Sequence, residues 1–241
     1  MTISSPAAKT ALPPPRRSQL ERSHAMRKRL LAATLESLAE DGYTGSTLSS
    51  IVRRAGVSRG AQVHHYPNKQ ALMLDAAEDL LRRTYRTMGE LLLSVVEEDN
   101  RLQALVDAIW EQLFFTPLYR AYTELLMESQ RDPALRDALR ILLLRQARVF
   151  DRAIDHYFEP ASGANPDIRS LFLQLIALLH GLASHVQLLP AQVNVRAHLH
   201  NWVRQSAAHM RARKGVRTPP PRPESWDQPA APVAIDRNHP G

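Results

Sequence analysis

Apolar residues recur at helical spacing through residues 18 to about 210. Met26, Leu30, Leu31, Leu35, Leu38 and Ala39 lie three or four apart and predict an amphipathic helix over 18–40, stopped by Asp41-Gly42. Two short helices follow over 47–54 and 58–66, separated by Ala55-Gly56-Val57. Pro67-Asn68 breaks the chain before a long helix directed toward Glu98, with Gly89 as a point where it could kink or end. Further helices are predicted over 101–115 and 118–130, with Thr116-Pro117 between them. Asp132 as N-cap and Pro133 at the first helical position open another, over 133–158. The last two cover 166–189 and 194–210. No strand-like alternation of the kind a sheet needs is evident. The expected fold is all-α, with about nine helices: three in a small head over 18–75 and six in a larger body over 76–210.

Composition changes this picture at the ends. Residues 1–17 hold four prolines and 211–241 hold seven, so both are expected to be disordered, an N-terminal arm and a basic tail. The 241 residues contain no cysteine, which excludes disulfides, thiolate metal sites and iron–sulfur clusters. The net charge of +7 divides into +6 for residues 1–75, −2 for 76–210 and +3 for 211–241. A basic head on a slightly acidic body points to an anionic partner, most often nucleic acid. The first twenty residues carry no apolar core of signal-peptide length. The apolar run 171–189 is interrupted by Gln174, His180, Ser184, His185 and Gln187, so it reads as a buried interface helix with no membrane partner. The expected compartment is the cytoplasm.

The most informative stretch is 47–66. Thr47 is a good N-cap, and Leu48, Ile51, Val52 and Ala55 share an apolar face. Gly56 can take the left-handed conformation that ends a helix, Val57 fills the angle, and Ser58 caps the next helix. Two short helices around a glycine turn form a helix-turn-helix, whose second helix enters the DNA major groove. Arg59, Gln62, His64 and His65 supply donors and acceptors on or near it.

The run Thr47…Ile51…Ala55-Gly56-Val57-Ser58-Arg59-Gly60…His64-His65-Tyr66-Pro67-Asn68-Lys69…Leu72 resembles the tetracycline-repressor (TetR) family of bacterial regulators. The likeness extends to Arg27-Lys28-Arg29 and the Gly42-Tyr43 turn, and its specific features cover about residues 20–75. It implies a double-stranded DNA operator as partner. It also implies DNA contacts from Thr47, Ser49 and Ser50 around the start of the second helix, and from Ser58, Arg59, Gly60, Ala61, Gln62 and His64 along the third. His65 and Lys69 fall on the phosphate side, where contacts position the protein and confer salt dependence. Gln62 stands where the family usually has an apolar residue and Val63 where it usually has an aromatic one. No phosphate contact is therefore carried to position 63, and Gln62 can face either the core or an adenine edge.

The resemblance makes the body a ligand-binding and dimerisation domain. Trp110, Phe114, Phe115, Tyr119, Tyr122 and Met127 gather on two consecutive helices around Pro117, with His180 available to a ligand's polar group. They suit either a cleft for an apolar or aromatic effector or an ordinary core. The helices over 166–189 and 194–210 are the expected homodimer surface, pairing with a second copy as a four-helix bundle. No metal or cofactor site is signalled: no two histidines lie three or four apart, and no phosphate-binding loop or nucleophile elbow occurs. An enzyme is not expected. The reading is a homodimeric regulator, a repressor released from a palindromic operator by a small ligand. Its rivals are a helical ligand-binding or scaffold protein with only non-specific DNA affinity, and an activator of the same family.

Overall fold

Seven of the helices begin on a side chain that accepts a hydrogen bond from their own first turn, which settles where each one starts. Thr47 takes the amide of Ser50, Asn68 that of Ala71 and Asn100 that of Gln103. Thr116 takes Tyr119, Asp132 takes Leu135, Asp167 takes Arg169 and Asn194 takes Ala197. Pro117 and Pro133 sit at the first helical position, where a missing amide hydrogen costs nothing.

The computed structural model describes residues 19–161, 167–190 and 192–219, with only the backbone of Ala61. Among them are nine helices: α1 Gln19–Gly45, α2 Leu48–Ala55, α3 Arg59–His65, α4 Lys69–Ser94, α5 Arg101–Gln112, α6 Pro117–Ser129, α7 Pro133–Tyr157, α8 Ile168–His185 and α9 Val195–Ser206. The all-α expectation holds. Inside α1 the backbone leaves helical geometry at Gly42 (φ 70°, ψ 175°), the residue expected to stop it. Gly89 neither kinks nor ends α4.

Two expectations need correcting. Short strands do occur: β1 (Phe158–Pro160) pairs antiparallel with β2 (Met210–Ala212), Phe158 opposite Ala212. The tail expected to be disordered from 211 therefore opens inside a strand. The Arg213 amide donates to the Tyr157 carbonyl at 2.8 Å, Arg211 and Arg213 both bond Glu159, and Met210 is buried. Three-residue strands are too short to show a period of two, which is why the pattern missed them. The disorder expected of the arm (1–17) and of residues 220–241 concerns positions outside the described residues.

Two apolar clusters form the core, and their seam runs across α4. Leu72 to Leu81 pack with α1, α2 and the facing sides of α6 and α7, whereas Met88 to Val95 pack with α5, α8 and α9. The head therefore rests directly on α6. There the Glu124 carboxylate accepts the Tyr43 amide at 2.9 Å, beside the Gly42 bend.

Helix α8 behaves differently. It buries only Ile168, Leu175 and Leu179, while Leu173 is 70% exposed. Its length and mean hydropathy of 1.2 would by themselves permit a membrane span. Gln174, His180 and Ser184 interrupt it, and it packs on α7, α9 and β1 as a bundle helix does.

Candidate functional site

Helix α2 ends at Gly56, whose φ of 60° and ψ of 42° lie in the left-handed region, and its amide closes onto the Arg53 and Val52 carbonyls. Arg29 of α1 donates to the Ala55 and Gly56 carbonyls at 2.6 and 2.8 Å. It thereby satisfies acceptors that the helix end leaves unpaired. Helix α3 then starts with the Gln62 amide on the Ser58 carbonyl.

The described side chains of α3 divide by face. Arg59, Gly60, Val63 and His64 point to solvent, and His65 is half-buried. A Cβ at Gly60 would meet nothing within 4 Å, so packing within the chain does not demand glycine there. Gln62 is corrected as a base-reading candidate: it is only 2% exposed, and its amide nitrogen donates to the Tyr66 carbonyl. The side chain is committed to closing the end of α3. Val63 lies on the solvent face instead.

At the start of α2, Thr47 and Ser49 are exposed. The Ser50 hydroxyl is within bonding distance of the Thr47 hydroxyl and of the Gly45 and Thr47 carbonyls. Ser50 and Arg53 line an open groove of about 480 Å³ with Asp41, Gly45 and Arg54. Arg54 is not a free cation, because Glu40 and Asp41 hold it at 2.5 and 2.9 Å. Lys69 is occupied as well. Its ammonium donates to the Tyr43 carbonyl at 2.7 Å and sits 4.1 Å from the centre of the Tyr43 ring, and burial lowers its pKa.

In the body, all the candidate pocket residues except Met127 meet. Phe114 stacks on Trp110 and contacts Tyr119, with centroids 5.8 and 4.7 Å apart. His180 lies 5.3 to 5.4 Å from the rings of Phe114, Tyr119 and Tyr122. Its Nδ1 is 3.3 Å from the Tyr119 hydroxyl, and burial lowers its pKa, favouring the neutral ring. Phe115, at φ 65°, adds an edge-on contact to Trp110. Met127 does not join them; it is half exposed and outside both apolar clusters. The two described cavities, on the head and between α4 and α7, do not touch these rings.

Comparison with known proteins agrees with this layout. Residues 30–81 match the family model described as bacterial regulatory proteins, tetR family, and residues 96–209 match a tetracyclin repressor-like C-terminal domain. The HTH-type transcriptional regulator CymR of Pseudomonas putida is 36% identical over 126 residues, 52% of this chain and 62% of that one. BetI of Agrobacterium fabrum, also an HTH-type transcriptional regulator, is 31% identical over 124 residues, 51% of this chain and 59% of that one. The chain thus spans less than two thirds of either relative. A transcriptional regulator from Rhodococcus shares the fold, with a TM-score of 0.56 at 21% identity over 76% of this chain and 97% of that one. With both family models matched in chain order, head first and body second, the chain belongs to the tetR family of bacterial regulatory proteins.

Proposed function

We propose that the chain is a cytoplasmic, sequence-specific DNA-binding transcriptional regulator, a homodimeric repressor that a small apolar or aromatic ligand releases from a palindromic operator. The observation that carries this reading is α3 itself. Arg59, Gly60, Val63 and His64 stand exposed on a short helix whose other face is locked into the head by Gln62 and Tyr66. A rigid helix presenting such a face suits entry into a major groove. Thr47 and Ser49, exposed at the start of α2, would meet the sugar–phosphate backbone.

The apolar surface left open on α8 supports the dimer. A second copy covering Leu173 and Ile176 would complete a four-helix bundle of α8 and α9 with their two-fold mates. The ring cluster around His180 is the proposed effector site. Rings and a neutral imidazole suit an apolar or aromatic molecule, and because the rings are already in contact, a ligand would have to part them.

The test is binding of the purified protein to the DNA flanking its own gene, against shuffled DNA, across a salt series. A preference that survives at about 150 mM salt, with a footprint of two half-sites, is the expected result. Equal, salt-labile binding to both would favour a ligand-binding protein with only non-specific DNA affinity.

A further inference from the structure

We infer that Arg27 and Asp75 are positioning residues for DNA reading: through one shared carboxylate, α1 and α4 grip the Tyr66 end of α3 and set its angle to the groove. The inference rests on the DNA-reading role proposed above. A helix of seven residues has little stability of its own, so its orientation must come from what holds its two ends. The front end follows from the Gly56 turn and Arg29. The rear end passes into Tyr66, which is 5% exposed.

Asp75 gathers three donors there. Arg27 Nε reaches Oδ2 at 2.8 Å and Arg27 Nη2 reaches Oδ1 at 2.5 Å, a two-pronged pair, while the Tyr66 hydroxyl donates to Oδ2. The Asp75 side chain is only 15% exposed, so water competes weakly for these bonds. Burial and the bond to Asp75 both raise the Tyr66 pKa, which keeps the phenol a donor. Gln62, one turn back, donates to the Tyr66 carbonyl and ties the same residue to the reading helix. Arg27 is therefore not one of the head's charges offered to phosphate.

That difference can be measured, because electrostatics and positioning predict opposite signs. Asp75→Asn makes the head more positive, so electrostatics alone would tighten DNA binding. Positioning predicts about a tenfold loss of operator affinity, the size of one good base contact, with non-specific binding unchanged or tighter. Arg27→Gln should then cost the same, the double variant should be no worse than either single one, and the salt slope should not change. If Arg27 instead binds phosphate, its loss lowers that slope by about 0.9 and adds to the effect of Asp75→Asn, which overturns the inference. Tyr66→Phe, which keeps the ring in the core, should reproduce part of the affinity loss.

Hydrogen exchange of free Asp75→Asn protein separates this inference from the role it rests on. Faster exchange across 59–66, with 48–55 and the body unchanged, is expected whether or not the wild type prefers any DNA. Unchanged exchange across 59–66 overturns the clamp.

Discussion

Helices α3 and α8 are both incomplete surfaces, and they are incomplete in opposite ways. The first is seven residues long, presents an arginine, a glycine, a valine and a histidine to solvent, and owes its placement to polar ties from α1 and α4. The second is eighteen residues long, long enough to need no clamp, and leaves leucine and isoleucine exposed. An exposed face with a cation on a rigid short helix suits an anionic polymer. Exposed aliphatic residues on a long helix suit a second apolar surface, because water is the poorer solvent for them. The head is thus shaped for a partner of different chemistry and the end of the body for one like itself.

Substitutions on α8 should separate its two sides most sharply. Leu173→Asp places a charge where the second copy would pack and should convert dimer to monomer in sedimentation, with helix content unchanged. A dimer that survives it would move the interface elsewhere. Leu175→Ala, two residues on and fully buried, should instead destabilise each protomer by about 2–5 kcal/mol in denaturant unfolding.

Smaller effects are expected on the DNA side. Arg59→Ala should lower operator affinity by about 1–3 kcal/mol, as the loss of a groove contact does. Arg54→Ala should change it little, since Glu40 and Asp41 already hold that guanidinium. Equal losses from the two would mean that the head binds by charge alone.

The smallest effect concerns pH. Burial lowers the His180 pKa below 6.5, so protons bind the unfolded chain more readily than the folded one. The stability this contributes is present above about pH 6.5 and is lost as the pH falls from there toward the folded-state value. His180→Asn should flatten that acid limb in thermal unfolding; an unchanged limb would assign it to other groups.

The local features of the head were legible because each one is written in a few adjacent residues. Gly56 is left-handed as its place in the turn requires, and Thr47 and Asp132 cap the helices they were expected to cap. The polar character of Gln62 said nothing about direction, and only the nearby Tyr66 carbonyl turned it inward. Arg27, Lys69 and Arg54 looked alike as charge, yet each has a different intramolecular partner. For the body, the sequence brought Trp110, Phe114, Tyr119 and Tyr122 into one region but could not say that His180, some sixty residues on, lies against three of them.

Caps, glycine conformations and helical periodicity act within one or two turns of chain, so the helices, their starts and breaks, the glycine turn and the all-α class could be read locally. Tertiary structure decided which cations remain free, which side of α3 faces outward, where the core divides across α4, and that residues 210–219 fold back onto α7. Those outcomes depend on groups far apart in the chain, and a carboxylate or a carbonyl chooses among its possible donors only once the backbone has brought them within about 3 Å.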